Sequence, residues 1–381
     1  MRAFVLADPA LASQAGRFVW LELNTDLTTN AAVLEKHEAD ALPTYLVVDP
    51  RDESVVLRWV GSFTVAQAET FLQEARDKMA GAAATPSEAA LAKADHLYGA
   101  RDYKAAAAAY REALATLPAP GPRYNRAVEA LLFSHQQSDA SADAIALVRE
   151  ALPRVGKTPS AIVVSLGGLD SALSLAKEDP TRGATIAEME AVVRRALADP
   201  AIRAAADDRS GAYLSLLQAR KDAKDDVGAK AVAAELAAFL EGEAAAAKTP
   251  DARAVFDSHR MTAYLELGQP EKAVAMLEAS AKDLPGDYNP QNRLVRAYSA
   301  LKRWDDAIAA SGKAASLATG RAKIRVLTTR ASVLQDKGDK AGAVAAYDEA
   351  IAYAESLPEA ERPAKQVEGL KKQRERLAAK S

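Results

Sequence analysis

The sequence predicts a mostly helical protein that begins with a small α/β unit. Strand signals, which are runs of β-branched and aromatic residues, do not persist beyond the small-residue segment 81–86. Alanine, which loses the least conformational freedom in a helix, is abundant throughout. Similar helical segments also recur in the last third of the chain. The pattern therefore favours a helical repeat array behind a short α/β segment.

Composition excludes several classes of protein. The chain has 381 residues, with 49 Lys and Arg against 52 Asp and Glu, and a net charge of −3. This balance does not favour electrostatic binding of nucleic acid. Cysteine is absent, so the sequence contains no thiolate nucleophile, disulfide or Cys-ligated zinc. No stretch approaches the ~20 apolar residues that a membrane span requires. At ~150 residues per domain, the length predicts two or three domains.

The first 80 residues predict alternating strands and helices. Phe18–Leu23 and Tyr45–Val48 are β-branched and aromatic runs typical of buried strands, and a short helix is expected over residues 29–39 between them. A third strand is expected over residues 54–60. The short turn at residues 49–52 makes the second and third strands an antiparallel hairpin.

A helix is expected to close this unit. Thr64 and Gln67 have the spacing of a capping box, and apolar residues follow at helical intervals as far as Met79. The resulting order is strand, helix, strand, strand, helix. This order resembles the second half of the thioredoxin fold, and the residues that carry the resemblance are Phe18 to Leu23, Asn24-Thr25-Asp26, Leu42-Pro43-Thr44, Asp49-Pro50 and Gly61.

The thioredoxin resemblance implies a specific loop and a missing motif. In that family the proline at the place of Pro43 is cis and faces the redox CxxC, so Leu42, Pro43 and Thr44 are the candidate cis-proline loop. The family's first strand and its CxxC would lie upstream of Met1. Two alternatives follow: the domain has lost its redox chemistry, or the true start lies upstream and the intact protein is an exported thiol-disulfide oxidoreductase.

From residue 87 onward the sequence predicts helices to the end. Small residues at 81–86 indicate a domain boundary, and the charged stretch beyond Pro358 is expected to form a capping helix. The expected organisation is 1–80, truncated thioredoxin-like domain; 81–86, linker; 87–122, a first repeat; 123–250, degenerate helical hairpins; 251–358, regular repeats; and 359–381, the cap.

Three segments of the regular region align with one another. They start at Gly268, Lys302 and Gly338, and their central alanines, Ala273, Ala307 and Ala343, lie 34 and 36 residues apart. Tyr264, Tyr298 and Leu334 each lie nine residues before these alanines. This pattern resembles the tetratricopeptide repeat, with a period of ~34 residues. The expected fold is thus an α-solenoid of tetratricopeptide-type hairpins behind the truncated thioredoxin-like domain.

The repeat resemblance implies a peptide-binding face. Small residues allow the paired helices to approach closely, and stacked hairpins share one core and form a concave face along their first helices. In the resembled family, ligand peptides lie along that face, where Arg and Asn side chains hold a carboxylate or a backbone. The matching positions are Ser258, Thr262, Asn292, Arg296, Arg325, Thr328 and Ser332.

Two other sequence features give little indication of a binding site for phosphate or metal. Residues 162–171 resemble the SGGxDS pyrophosphate loop of adenylating enzymes, but Leu166 replaces the first serine and no alternating strand and helix pattern follows. A close helix contact at Gly167 or Gly168 is the favoured interpretation. The four histidines are scattered singly, which predicts no metal site.

The sequence therefore predicts a non-catalytic interaction scaffold. We expect no catalytic residues, no cofactor, no metal and no nucleic acid, and a protein or peptide partner on the concave face. The alternative remains the thioredoxin-family oxidoreductase with repeats that recruit substrates. The expected location is cytoplasmic as written, or periplasmic or exported if the true start lies upstream.

Overall fold

The structure is a computed structural model that describes residues 5–6, 8–25, 28–37, 43–61, 63–81, 85–358 and 362–379. Its contacts divide the chain into two compact units. The first unit comprises residues 1–21 and 34–232, and the second comprises residues 22–33 and 233–381.

Helices dominate the described residues. The two strands are β1 (Thr44–Val48) and β2 (Val55–Val60), and short 3₁₀ helices lie at Pro9–Gln14 and Thr28–Asn30. The α-helices are α1 (Ala31–Lys36), α2 (Val65–Met79), α3 (Pro86–Gly99), α4 (Tyr103–Leu114), α5 (Pro122–Gln137), α6 (Ser141–Val155), α7 (Ser160–Leu173), α8 (Arg182–Ala198), α9 (Ala206–Asp222), α10 (Asp226–Ala246), α11 (Pro250–Ala254), α12 (Asp257–Glu266), α13 (Pro270–Asp283), α14 (Tyr288–Ala300), α15 (Trp304–Leu317), α16 (Gly320–Lys337), α17 (Lys340–Ser356) and α18 (Ala364–Ala378).

The predicted hairpin is confirmed. Strands β1 and β2 pair antiparallel, with Thr44 opposite Val60 and a register irregularity after Val47. One face of the hairpin carries Trp59, whose ring makes an edge contact with Phe71 of α2 at 6.1 Å between centroids. The apolar face of the sheet therefore packs on α2.

The predicted capping box of α2 is also present. The side-chain oxygen of Thr64 accepts a hydrogen bond from the backbone N–H of Gln67 at 3.2 Å, and the Gln67 side chain accepts one from the N–H of Thr64 at 2.7 Å. Two backbone donors that a helix start leaves unpaired are satisfied in this way. The helix ends at Met79, as the sequence predicts.

The strand prediction for Phe18–Leu23 is wrong. These residues form no strand, and Val19 and Leu21 are 89% and 80% exposed. A strand-forming run becomes a strand only when a neighbouring backbone pairs with it, and the described sheet contains β1 and β2 alone. The helix expected over residues 29–39 is present from Ala31 to Lys36.

The candidate cis-proline loop is described only in part. Thr44 begins β1, and the carbonyl oxygen of Pro43 accepts a hydrogen bond from the N–H of Gly61 at 2.8 Å. Leu42 lies outside the described residues. The hydrogen bond places Pro43 beside the end of β2.

Helical hairpins build the first unit beyond α2. The first helices of successive hairpins are α3, α5, α7 and α9, and they contact one another in that order. The second helices α4, α6 and α8 pack against them. Arg111 of α4 bonds to Glu150 of α6, and Arg149 of α6 bonds to Glu188 of α8. The irregular sequence of residues 123–222 thus still folds as hairpins.

The second unit contains the regular repeats. Its hairpins are α12 with α13, α14 with α15, and α16 with α17. The aligned alanines Ala273, Ala307 and Ala343 are fully buried. The aligned tyrosines also make matching contacts, because Tyr264 donates to Glu241 at 2.8 Å and Tyr298 donates to Glu278 at 2.6 Å. Equivalent sequence positions therefore have equivalent structural roles.

Residues 162–171 do not form a phosphate loop. They lie inside α7, where Gly167 and Gly168 are closely packed. A Cβ atom on Gly167 would lie 2.6 Å from a Leu132 methyl carbon, and one on Gly168 would lie 2.9 Å from the Met189 sulfur. The two glycines allow α7 to approach its neighbours, which confirms the close-contact interpretation.

Candidate functional site

The candidate binding residues lie on the first helices of the second unit. Helix α14 contacts both α12 and α16, so these three helices form one layer. On each helix the candidates are three, four or seven residues apart and therefore share one side. We call the set the first-helix face: Ser258, Thr262, Asn292, Arg296, Arg325, Thr328 and Ser332.

Hydroxyl groups on this face bond to their own helices. Thr262 donates to the carbonyl oxygen of Ser258 at 3.0 Å, and Thr328 donates to that of Ile324 at 2.8 Å. Ser332 donates to the carbonyl of Thr328 at 3.3 Å. These donors are engaged, but the hydroxyl oxygens retain acceptor capacity.

Two arginines give the first-helix face its positive charge. Arg296 of α14 and Arg325 of α16 are both exposed. Arg325 reaches the hydroxyl oxygen of Tyr288 at 3.5 Å, which connects α16 to α14. Within the described residues, neither guanidinium forms an ion pair with a carboxylate. Both can therefore bind an anionic group with two parallel hydrogen bonds.

Two polar side chains on α12 and α14 contain buried oxygen atoms. The side-chain oxygen of Asn292 is buried and accepts no hydrogen bond from a described residue. Burial raises the pKa of Asp257, and a hydrogen bond with Ser280 and nearby arginines act in the opposite direction. Sequence reasoning missed Asp257, which is adjacent to Ser258.

A buried polar cluster in the first unit was also missed. The Tyr110 hydroxyl donates to Oδ1 of Asp95 at 2.5 Å, and Arg126 Nη2 donates to the same oxygen at 2.6 Å. All three residues are buried. Burial raises the pKa of Tyr110, and Asp95 and Tyr110 hold the pKa of Arg126 above its usual value despite its burial. The cluster joins two successive hairpins.

Two carboxyl groups on first helices of the first unit have raised pKa values. Burial raises the pKa of Glu129 to about 7, and nearby Asp208 adds to this shift while a hydrogen bond with Ser160 opposes it. Burial, assisted by the charge of Asp207, raises the pKa of Asp208 to about 6. Both groups therefore titrate near neutral pH.

The described residues show neither a metal centre nor a membrane span. No three His, Asp or Glu side chains among them are grouped so that they could hold a metal ion. No described helix is long and apolar enough to cross a bilayer.

Comparison with solved structures finds helical repeat proteins at low identity. A tetratricopeptide repeat protein from Parabacteroides merdae is 12% identical with a TM-score of 0.44, and the match covers 76% of this chain and 98% of that one. The Cut9–Hcn1 assembly of the APC/C is 15% identical with a TM-score of 0.38, covering 80% of this chain and 54% of that one. A Thermus thermophilus tetratricopeptide repeat protein is 13% identical with a TM-score of 0.28, covering 77% and 99%.

One family model matches a short part of the chain. Residues 264–314 match the family model described as tetratricopeptide repeat, and this segment runs from Tyr264 in α12 to Ala314 in α15. No curated protein matches the chain. The tetratricopeptide repeat prediction is therefore supported where the aligned alanines and tyrosines make their equivalent contacts.

Proposed function

We propose that the chain is a non-catalytic protein-interaction scaffold and that its first-helix face binds an extended peptide. The observation that carries the proposal is the exposed pair Arg296 and Arg325, whose guanidinium groups have no carboxylate partner in the described part of the chain. A peptide with carboxylate groups is the partner that such a pair favours.

Tetratricopeptide repeats as a family support the same proposal, because stacked hairpins present one long surface to a partner.

The thioredoxin-like relationship of residues 1–80 stays a prediction. The order β1, β2, α2 fits it, whereas Phe18–Leu23, the first strand of the predicted order, forms no strand.

The double substitution R296E/R325E is expected to weaken binding of an acidic peptide by at least about tenfold, because it replaces two attractive charges with repulsive ones. The peptide is selected from a random library on the full chain, and its affinity is measured by calorimetry. Both arginines are exposed, so the free energy of unfolding should change by no more than ~0.5 kcal/mol.

The matched control reverses a charge on a second helix. Lys313 is exposed on α15, and K313E is expected to change the affinity by less than about twofold. Undiminished affinity in R296E/R325E, or a loss in K313E alone, would show that peptides bind elsewhere.

A further inference from the structure

A groove with a volume of about 340 Å³ opens between α13 and α15 in the second unit. Both helices pack on α14, which forms the floor of the groove. Ala281 of α13 and Ala309 and Ala310 of α15 line it, and their short side chains leave space between the two helices. Sites for small molecules have volumes of roughly 300–1,000 Å³, so the groove has room for a small ligand.

The two carboxylates of the lining both have partners. Tyr298 donates a hydrogen bond to Glu278 at 2.6 Å, and Arg303 bonds to Asp306 at 2.7 Å. The guanidinium carbon of Arg303 also lies 4.6 Å from the ring centroid of Tyr298, which connects the two pairs. Burial and the hydrogen bond to Glu278 raise the pKa of Tyr298 to about 12, so its hydroxyl stays protonated and donates. The negative charge in this part of the groove is therefore partly compensated within the chain.

Three other polar side chains of the lining have donors to offer to a ligand. Lys282, Gln291 and Lys313 form no side-chain hydrogen bond or ion pair with any described residue. Both lysines are exposed, and each carries one positive charge and three N–H donors. The groove thus contains two positive charges that no carboxylate among the described residues pairs with.

These three side chains are displaced toward the same end of the groove. Compared with the bonded lining residue of its own helix, Lys282 lies four residues later, Lys313 seven later and Gln291 seven earlier. These intervals correspond to one or two helical turns, or roughly 6–10 Å along the helix axis. Connections of four and three residues join α14 to α13 and α15, so α14 runs antiparallel to both and all three displacements have the same direction.

We propose that this groove binds a small phosphate monoester, with its phosphate group between Lys282 and Lys313. The two ammonium groups donate to phosphate oxygens and balance the two negative charges, and the amide of Gln291 donates to a further oxygen. The carboxylates Glu278 and Asp306 disfavour an anion at the other end, so the organic part of the ligand points that way. The proposal concerns the second helices and does not depend on peptide binding by the first-helix face.

Binding is tested on the full chain with phenyl phosphate and phenyl sulfate, by calorimetry at pH 8 and low ionic strength. A phosphate monoester is a dianion above its second pKa of about 6, whereas a sulfate monoester is a monoanion. Phenyl phosphate is expected to bind with one molecule per chain and at least about tenfold more tightly than phenyl sulfate. No binding of phenyl phosphate, or equal affinity for the two ligands, would overturn the proposal.

Removal of the two lysine charges tests their role. The double variant K282Q/K313Q is expected to bind phenyl phosphate at least about tenfold more weakly than the wild type. Both side chains are exposed, so the variant should fold as the wild type does. Lys230 is exposed on α10 and does not line the groove, so K230Q should keep the wild-type affinity. Undiminished binding in K282Q/K313Q, or an equal loss in K230Q, would contradict the proposal.

A pair of alanine substitutions locates the ligand. Ala309 is exposed and lines the groove, so A309W is expected to fill the space between α13 and α15 and abolish binding. Ala275 is exposed at the equivalent position of α13, 34 residues earlier, and does not line this groove, so A275W should bind as the wild type does. Undiminished binding in A309W would show that phenyl phosphate binds elsewhere and would overturn the assignment.

Discussion

Replacing Arg126 with methionine is expected to lower the free energy of unfolding of the first unit by about 3–5 kcal/mol. The substitution leaves Asp95 buried with only the hydrogen bond from Tyr110, and it removes the guanidinium from the Trp59 ring. An uncompensated buried carboxylate is costly because the protein interior solvates charge poorly. Urea unfolding, followed by circular dichroism and by tryptophan fluorescence, measures the change.

An exposed ion pair provides the control for Arg126. Arg111 and Glu150 are 45% and 54% exposed, so R111M is expected to cost less than ~1 kcal/mol. The double variant D95L/R126M should recover much of the loss, because it removes both buried charges. A loss below ~1 kcal/mol in R126M would contradict the account of the buried cluster.

Glu129 is expected to make the first unit less stable as pH rises. Its pKa is raised from 4.5 to about 7 in the folded chain, so the folded state binds the proton more tightly than the unfolded state does. The stabilisation is complete below about pH 4.5 and is lost as pH rises through about 7. E129Q removes this titration and is expected to be more stable than the wild type by about 3 kcal/mol at pH 8.

The pH dependence of stability distinguishes the titration of Glu129 from a stability change that does not depend on pH. The difference between E129Q and the wild type should shrink as the pH falls from 8 to 5, when Glu129 becomes protonated. The exposed residue Glu349 provides the control, because E349Q should change stability by no more than ~0.5 kcal/mol at either pH. A constant difference across pH for E129Q would contradict the raised pKa.

Local signals in the sequence predicted much of the fold. The capping box joins Thr64 and Gln67, which are three residues apart, so the contact can be predicted from the local sequence. The buried alanines Ala273, Ala307 and Ala343 repeat at a fixed spacing. The run Phe18–Leu23 failed as a strand because strand formation requires a neighbouring backbone, which local sequence does not specify.

The candidate sites were less predictable because they depend on contacts between distant residues. Asp95 meets Tyr110 and Arg126 across 15 and 31 residues, and no motif joins the three. The sequence favoured a close helix contact at Gly167 or Gly168, but the residues that they approach, Leu132 and Met189, lie on other helices and could not be named from the sequence. The residues of the first-helix face come from the resemblance to the tetratricopeptide repeat, and their role in binding stays a prediction.

Photo-cross-linking tests the proposed binding face most directly. Benzoylphenylalanine is placed at Ser332, which is exposed on α16, or at Lys313, which is exposed on α15, and each protein is irradiated with a selected acidic peptide bound. The proposal predicts that the peptide cross-links to position 332 and not to position 313. A cross-link at position 313, with none at position 332, would contradict it.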